Sequence, residues 1–240
     1  MFPREHIYER EAPIFTVLHS ADGNSCDIDV ETRDMAETPI AWRLIPLIGV
    51  VLLIGVPFLW RSWLQRRRYG TRGVLLFHSS DRGQMVRDGL LLLVIVLLLG
   101  QAVAAVWWPT AIKPIVAARW LHWLGAVLMF GGIVLLVAAQ LDLGASWRIG
   151  IDEEAKPGLV ERGLYRFCRN PIFLGLLIAI TGYAALLPTP LSLILLAGQF
   201  LGMRLQIAAE EAYLLRTYGD AYRAYARQIG RLLPWIGRLH

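Results

Sequence analysis

The sequence is poor in the residues that build metal centres and disulfides. It contains two cysteines, Cys26 and Cys168, and five histidines that lack the spacing of metal ligands. The topology derived below puts the two cysteines on opposite sides of a membrane, which excludes a disulfide between them. No candidate base stands near Cys168 in the sequence, so we interpret it as an apolar spacer rather than a nucleophile. A structural or catalytic metal is therefore not predicted.

Three longer patterns are also missing. The chain has no glycine-rich strand-turn-helix fingerprint, which argues against a Rossmann-type cofactor domain. Its first residues lack a basic stretch followed by an apolar core, so no cleavable signal peptide is predicted. Basic and aromatic residues do not interleave on any soluble segment, and a nucleic-acid partner is therefore not expected.

Apolar residues are what the sequence has in excess. Of its 240 residues 56% are hydrophobic, nine are tryptophan, and the mean hydropathy is +0.48. These values are typical of an integral membrane protein. The charge is uneven, because residues 1–40 hold three arginines against nine acidic residues while the whole chain carries +5. We expect residues 1–40 to form an acidic extramembrane tail that need not be ordered, with Met35 as an alternative start.

Five apolar runs follow, at residues 41–60, 89–108, 120–141, 172–187 and 191–204. A helix needs about 20 residues to cross the ~30 Å core of a bilayer, so each run predicts a transmembrane helix, although the last two are short. Pro188 and Pro190 divide the last two runs and predict a tight helical hairpin. Gly198 and Gly202 lie four residues apart and favour the close approach of another helix. The fold class predicted is an all-α integral membrane protein with about five transmembrane helices.

Basic residues in the short loops orient this bundle. The loop between the first two runs holds seven arginines against two aspartates, whereas the proline hairpin has no charge. The loop at residues 142–171 and the segment after Arg204 each hold five basic residues. We therefore predict a multi-pass protein with its N-terminus outside and its C-terminus in the cytoplasm, in the inner membrane of a bacterium.

Charged and hydroxylated residues gather at the predicted cytoplasmic side. Arg166 and Arg169 lie in a polar turn that leads through Asn170 and Pro171 into an apolar run, where charge without a function is costly. Arg204 is followed by two adjacent carboxylates and then by four tyrosines: Glu210, Glu211, Tyr213, Tyr218, Tyr222 and Tyr225. The spacing of the last three tyrosines puts them on one face of an amphipathic helix.

These residues form an ordered pattern over residues 144–235. Its members are Gly163, Tyr165, Arg169, Asn170, Pro171, Phe173, Gly175, Arg204, Glu210, Glu211, Tyr218, Gly219, Tyr222, Tyr225, Leu233 and Pro234. The pattern resembles the C-terminal half of the isoprenylcysteine carboxyl methyltransferase family and of related membrane phospholipid methyltransferases. Eukaryotic members of that family have histidine where this chain has Asn170, so a titrating imidazole is not available here.

The resemblance implies transfer of a methyl group from S-adenosylmethionine to a lipophilic acceptor that reaches a helical pocket sideways from the bilayer. Residues 142–240 would then be the methyltransferase region, after three transmembrane helices in residues 41–141. Paired carboxylates suit the donor's ammonium or ribose, arginines its carboxylate, and tyrosines its adenine. The cofactor-binding residues expected are Tyr165, Arg169, Asn170, Pro171, Gly175, Glu210, Glu211, Tyr213, Tyr222, Tyr225 and Pro234.

Three residues are candidates for the methyl-transfer step itself. Arg204 and Arg148 are the arginines expected to orient the acceptor or the donor, and a carboxylate acceptor would need no base. Glu211 is the candidate base for an amine or thiol acceptor. Two other functions stay open: an NADPH-dependent sterol or enone reductase, which shares a distant version of the pattern, and a membrane protein without enzymatic activity.

Overall fold

The computed structural model describes residues 35, 38–70, 76, 82–116, 118–147 and 158–239. Within these ranges the regular structure is helical, and the one β-type contact is an isolated bridge between Cys168 and Gly230. The α-helices are α1 (Ile40–Ile54), α2 (Arg61–Tyr69), α3 (Arg82–Trp107), α4 (Arg119–Leu143), α5 (Pro171–Leu186), α6 (Pro190–Tyr218) and α7 (Asp220–Gln228). The predicted acidic tail, apart from Met35 and the last residues before α1, lies outside the described residues.

Among the described residues, four helices are long and apolar enough to cross a bilayer. They are the continuous helix Ile40–Tyr69, which includes α1 and α2, then Arg82–Trp107, Arg119–Ser146 and Pro190–Tyr218. The apolar helix α5 has 16 residues, or ~24 Å at 1.5 Å per residue, and is shorter than the ~30 Å core. The prediction of an all-α integral membrane protein with a C-terminal hairpin is confirmed.

Glycines bring α4 and α5 into backbone contact. Gly125 and Gly132 on α4 face Gly182 and Gly175 on α5, so the two helices run antiparallel. A Cβ atom on Gly175 would stand 2.6 Å from the backbone nitrogen of Leu136, which is far inside van der Waals contact. Each helix carries its glycines seven residues apart, and this spacing repeats on one face. The α4–α5 pair is consequently the most closely packed part of the core.

The glycine pair on α6, Gly198 and Gly202, does not form the close helix contact that the sequence suggested. Among the described residues, an added Cβ on Gly198 or Gly202 of α6 would have no atom within 4 Å other than those of its own chain neighbours and helix backbone. The close helix approach expected at α6 is therefore found between α4 and α5, and the α6 glycines leave open space instead.

A group of neutral polar side chains joins the hairpin turn to α3. Thr189 caps α6 by accepting a hydrogen bond from Ser192 N at 3.1 Å. Gln101 of α3 donates to Thr189 Oγ1, and its Oε1 lies 3.1 Å from Ser192 Oγ and 3.2 Å from the hydroxyl of Tyr183. The four residues Gln101, Tyr183, Thr189 and Ser192, here called the neutral cluster, are all buried. Their mutual bonds satisfy polar groups that the bilayer could not.

Candidate functional site

A short polar loop at the other end of the bundle carries the first half of the sequence pattern. Gly163 begins a 3-10 turn with φ +60, and a Cβ there would collide with the carboxylate of Asp142 at the end of α4. Asp142 also accepts a hydrogen bond from Leu164 N at 2.8 Å. Position 163 requires glycine because its φ is positive and because a Cβ atom would collide with Asp142. This contact docks the loop on α4 and places Tyr165 and Arg169 beside α6.

The guanidinium of Arg169 ties four segments together. Its Nε and Nη2 donate to Oε1 of Glu211 on α6 at 3.1 and 2.9 Å. Its Nη1 donates to the carbonyls of Ala226 and Ile229 at 2.7 and 2.8 Å, and Nη2 donates to Gly237 O at 3.0 Å. An arginine has five N–H groups, and these bonds use all five. Arg169 therefore holds the end of α7 and the C-terminal segment against α6.

Glu211 receives a second arginine on its other oxygen. Arg231 Nη2 donates to Oε2 at 2.6 Å, and the carboxylate is 8% exposed. Asn170, where the resembling family has histidine, donates from Nδ2 to the carbonyl of Arg231 at 3.0 Å. Arg169, Asn170, Glu211 and Arg231 form what is here called the charged cluster. In this arrangement both oxygens of Glu211 are held by arginines, so the side chain serves as a structural anchor.

Three buried tyrosines stand next to this cluster. Tyr225 donates from its hydroxyl to Tyr165 O at 2.6 Å, and its ring centroid lies 6.1 Å from that of Tyr222. Burial raises the pKa of all three phenols, and the nearby carboxylates Glu210 and Glu211 raise the pKa of Tyr165 and Tyr222 further. The hydroxyl of Tyr222 has no hydrogen-bond partner in the described part of the chain. These phenols therefore keep their protons and their donor capacity at physiological pH.

A cavity of about 610 Å³ opens beside the two helices and the loop that carry these residues. Its polar end is lined by Gln84, Arg87, Asp88, Gln140, Trp147, Tyr165, Arg169, Asn170, Glu210, Tyr213, Tyr222 and Tyr225. Its apolar wall comes from α1, α3 and α6 and includes Leu53, Leu90, Val94, Leu201 and Leu205. One space thus joins hydrogen-bonding groups to a long hydrocarbon surface, a combination typical of small-molecule sites.

The apolar wall reaches the outer surface of the bundle between α3 and α6. At the far end from Glu210, the hydrogen bonds of the neutral cluster join these two helices. Nearer the polar end, Leu90, Leu201 and Leu205 line the cavity and are 49%, 62% and 53% exposed. Since these exposed leucines lie on helices long and apolar enough to cross a membrane, this part of the cavity wall belongs to the apolar outer surface of the bundle.

The structure brings most of the expected site residues together and leaves others apart. Tyr165, Arg169, Asn170, Glu210, Tyr213, Tyr222 and Tyr225 line the cavity, and Glu211 lies behind them in the charged cluster. Pro171 begins α5, Gly175 packs on α4, and Pro234 is exposed in the C-terminal segment. Arg204 is exposed and does not line the cavity. Arg148 lies outside the described residues.

Sequence reasoning missed several residues that the structure places at or behind the cavity. Arg231 was counted only as a basic residue of the C-terminal segment, yet it completes the charged cluster. Gln84 donates from Nε2 to Asp88 Oδ1 at 2.6 Å at the start of α3, a contact that their spacing of four could have indicated. Gln140 is a lone amide within an apolar run, which is itself a signal of function in a membrane helix.

Arg61 was also missed, because the sequence reading counted it as a loop residue that sets topology. It follows a π-helical turn, Gly55–Trp60, which contains Pro57, and it is 1% exposed. Proline lacks the backbone N–H that an α-helical turn needs, and a π turn changes which face the following residues present. Arg61 donates from Nη2 to Gly144 O at 2.7 Å and thereby caps the C-terminal end of α4.

Comparisons with known proteins concern the same region. Residues 120–221, which include α4, α5, α6 and their connecting loop, match the family model described as phospholipid methyltransferase. Protein-S-isoprenylcysteine O-methyltransferase A of Arabidopsis thaliana is 30% identical over 122 residues, or 49% of this chain and 61% of that protein. Methanethiol S-methyltransferase of Pseudomonas sp. (strain GM41(2012)) is 26% identical over 211 residues, or 84% of this chain and 78% of that protein.

A solved structure shares the fold. The eukaryotic intramembrane Ras methyltransferase, an isoprenylcysteine carboxyl methyltransferase, matches with a TM-score of 0.55 at 17% identity, over 86% of this chain and 71% of that one. The chain spans 61% of the length of the Arabidopsis relative and 50% of the corresponding Dictyostelium discoideum enzyme. The residues that the family model matches include the hairpin and, from the polar end of the cavity, Tyr165, Arg169 and Glu210.

Proposed function

We propose that this chain is a member of the isoprenylcysteine carboxyl methyltransferase family and transfers a methyl group from S-adenosylmethionine to a lipophilic acceptor; the match of residues 120–221 to the phospholipid methyltransferase model and the similarity to named methyltransferases support this. The observation that carries the proposal is the cavity, whose polar end borders the charged cluster and whose apolar wall includes part of the apolar outer surface of the bundle. Such a space accepts a polar donor from one side and a hydrocarbon-bearing acceptor from the other.

The described residues fit the methyl donor. Tyr222 and Gln140 line the cavity, and the buried Tyr222 hydroxyl and Gln140 Oε1 have no partner in the described part of the chain. Unpaired buried polar atoms are costly, and a polar ligand would satisfy them. Glu210 supplies a carboxylate that suits an ammonium or ribose hydroxyls, and the rings of Tyr165 and Tyr225 supply flat apolar surface.

When bound, the donor supplies an activated methyl group on a positively charged sulfur. The task of the protein is then to align two reactants and to exclude water, because an in-line displacement needs no protein nucleophile. The charged cluster contributes by holding α7 and the C-terminal segment in place, which fixes Tyr222 and Tyr225 as one wall. Since all five N–H groups of Arg169 are occupied, we assign it this positioning role.

The acceptor would lie along the apolar wall with its nucleophilic end toward the polar end of the cavity. Relatives of this chain are named for two such acceptors, isoprenylcysteine and methanethiol. The length of the wall, from Leu53 on α1 to Leu205 on α6, favours an acceptor with a hydrocarbon chain. Arg148 remains the arginine proposed to orient a carboxylate acceptor, and Arg204, being exposed, suits an anchor at the membrane boundary.

The charged end of the bundle is proposed to face the cytoplasm. The predicted topology puts the loop with seven arginines, between the first two spans, on the same side of the membrane as the charged cluster. The hairpin turn, on the opposite side, has no charge. S-adenosylmethionine is made in the cytoplasm, so this orientation gives the polar end of the cavity direct access to it. Cysteine labelling of introduced surface cysteines in intact cells would test the orientation.

Calorimetric titration of the detergent-purified protein with S-adenosylhomocysteine tests the proposal. We expect micromolar binding that Glu210→Gln weakens about tenfold, since it removes one charge-assisted bond. Arg223→Gln is the control, because Arg223 is exposed and pairs only with Asp220. Methyl transfer to S-farnesylcysteine and to methanethiol would then identify the acceptor. Absence of S-adenosylhomocysteine binding beside clear binding of NADPH would overturn the methyltransferase assignment in favour of a reductase.

A further inference from the structure

The first of the long apolar helices continues well beyond its apolar run. The helix Ile40–Tyr69 has 30 residues, or ~45 Å at 1.5 Å per residue, whereas the hydrocarbon core of a bilayer is ~30 Å thick. The apolar run ends at Trp60, so α2, which follows it, lies at the depth of the lipid headgroups. Side chains that α2 exposes there are expected to meet headgroups rather than hydrocarbon.

One face of α2 is docked on the protein. Arg61 and Gln65 lie four residues apart on this face, and both are 1% exposed. Arg61 Nη2 donates to Gly144 O at 2.7 Å, and Gln65 Nε2 donates to Ala145 O at 3.0 Å. These bonds tie α2 to the end of α4 and thereby hold the opposite face of α2 in a fixed orientation.

The opposite face presents two tryptophans and two arginines to the surroundings. Each residue advances an α-helix by about 100°, which directs Trp60, Trp63, Arg66 and Arg67, here called the α2 outer face, away from Arg61. All four are exposed. The guanidinium of Arg67 lies 5.2 Å from the centre of the Trp63 ring. This contact uses the flat face of the guanidinium and leaves its N–H edge available to another partner.

The charge of the α2 outer face is not balanced within the described part of the chain. No described carboxylate pairs with Arg66 or Arg67, and the adjacent Arg68 adds a further positive charge. On α7, by contrast, Arg223 has Asp220 as a partner at 2.7 Å. An anion from outside the chain would complement the α2 outer face, and at the depth of the headgroups that anion is a lipid phosphate.

We propose that the α2 outer face binds the phosphate of an anionic phospholipid, at a site outside the methyl-transfer cavity. A guanidinium presents a planar fork of N–H groups that can bond two phosphate oxygens at once. The two indole rings suit the boundary between headgroups and hydrocarbon, because each combines an apolar ring with an N–H donor. Phosphatidylcholine carries a cation beside its phosphate, so phosphatidylglycerol should bind better.

Arginines at this place also orient a membrane protein, and the two roles differ in what they require. Orientation needs only positive charge, which lysine supplies equally well, whereas a phosphate site needs the geometry of the guanidinium. Arg66→Lys/Arg67→Lys therefore keeps the topology signal and removes the fork. Arg66→Gln/Arg67→Gln removes the charge as well. Arg216→Gln/Arg227→Gln is the matched control, since it removes two exposed arginines of α6 and α7.

Native mass spectrometry of the detergent-purified protein measures the site. The wild-type protein and each double variant are equilibrated with phosphatidylglycerol, phosphatidylcholine or inorganic phosphate over a series of concentrations. The wild-type protein should bind phosphatidylglycerol about fivefold or more tighter than phosphatidylcholine. The glutamine pair should weaken phosphatidylglycerol binding about tenfold, the lysine pair about threefold, and the control pair should leave it unchanged. The thermal midpoint of the lipid-free protein should be the same in all four.

Four results would overturn the inference. Equal binding of the two lipids by the wild-type protein would show that the headgroup is not recognised. Wild-type affinity in the lysine pair would reduce the α2 outer face to a topology signal. An equal loss in the control pair would mean that lipid responds to total charge and not to this face. Displacement of phosphatidylglycerol by an equal concentration of inorganic phosphate would indicate a general anion site rather than a lipid site.

Discussion

The two ends of the helical bundle bury their polar groups in different ways. The neutral cluster joins uncharged side chains of α3, α5 and α6, and its hydrogen bonds run among its own members and to the backbone at Leu98. The charged cluster joins ions, and its bonds run largely to main-chain carbonyls of α7 and the C-terminal segment. The neutral cluster joins the helices at one end of the bundle. The charged cluster positions the wall of a cavity whose lining residues include polar atoms without a partner in the described residues.

The two ends also differ in how completely their buried polar atoms are paired. At the neutral end, Gln101 and Tyr183 are fully buried and their polar atoms have partners. At the charged end, Gln140 and Tyr222 are as deeply buried, yet each has an atom without one in the described residues. Polar groups that serve only folding are paired within the protein. Gln140 and Tyr222 also line the cavity, so a polar ligand bound there would satisfy them.

Two adjacent carboxylates repeat this difference on a smaller scale. Successive residues of an α-helix point about 100° apart, so Glu210 and Glu211 cannot share one environment. Glu211 accepts from two arginines inside the charged cluster, and Glu210 lines the cavity and accepts from Gln206 Nε2 at 2.9 Å. Glu211 therefore belongs to the charged cluster that holds α7 and the C-terminal segment, whereas Glu210 lines the cavity.

The largest effect is expected from Glu211→Ala. It leaves the buried guanidinium of Arg169 without its counter-charge, and breaking a buried ion pair in this way costs about 3–5 kcal/mol. Thermal unfolding followed by tryptophan fluorescence should show a large fall in midpoint, with loss of S-adenosylhomocysteine binding as a consequence. Glu210→Ala should cost less stability than Glu211→Ala, because Glu210 lies outside the charged cluster, and should weaken binding. Equal losses of stability in the two variants would contradict the separation of roles.

Arg169→Lys tests the shape of the charged cluster with its charge kept. Lysine has three N–H groups where arginine has five and lacks the planar fork, so the carbonyls of Ala226, Ile229 and Gly237 would lose part of their donors. We expect a loss of about 2 kcal/mol and faster proteolysis of the segment after α7. Stability and proteolysis at wild-type levels would mean that charge alone holds the segment. Arg223→Lys, on the exposed face of α7, is the control.

Two tyrosines, one at each end, offer a matched pair of smaller changes. Tyr183→Phe removes a hydroxyl that bonds to Leu98 O at 2.9 Å and should cost about 1 kcal/mol of stability without changing ligand binding. Tyr222→Phe removes a hydroxyl without a partner in the described residues. It should leave stability unchanged and weaken S-adenosylhomocysteine binding about threefold to tenfold. The comparison between the ends fails if both variants lose stability and neither loses affinity.

The helices could be predicted from the sequence because apolar runs and prolines are local signals. Pro188 and Pro190 mark the hairpin, and the structure has α5 end at Leu186 and α6 begin at Pro190. The length of α6 was underestimated, because its apolar run stops near Arg204 while the helix continues to Tyr218 through residues that favour helix but not lipid.

Contacts between distant residues were the part that the sequence did not reveal. Arg169 and Glu211 were both expected at the donor, and nothing in a single sequence shows that two residues 42 positions apart bind each other. Arg61 looked like one of many arginines in a loop, since its burial depends on the π turn that precedes it. The glycines at spacing seven on α4 and α5 were visible, but only their mutual contact distinguishes them from the pair on α6.

The smallest expected effect is on stability at high pH. Burial raises the pKa of Tyr222 above the usual value near 10, so the unfolded chain loses this phenolic proton first. Above pH ~10 the folded state binds more protons than the unfolded state, and stability falls as pH rises. Tyr222→Phe should reduce the slope of unfolding free energy against pH by about half a proton at pH 10, rising toward one proton at pH 11. Tyr225→Phe should reduce the slope similarly but also lose stability at pH 7, because its hydroxyl bonds to Tyr165 O. Chemical denaturation at several pH values measures both, and an unchanged slope in Tyr222→Phe would mean that this phenol ionises alike in the two states.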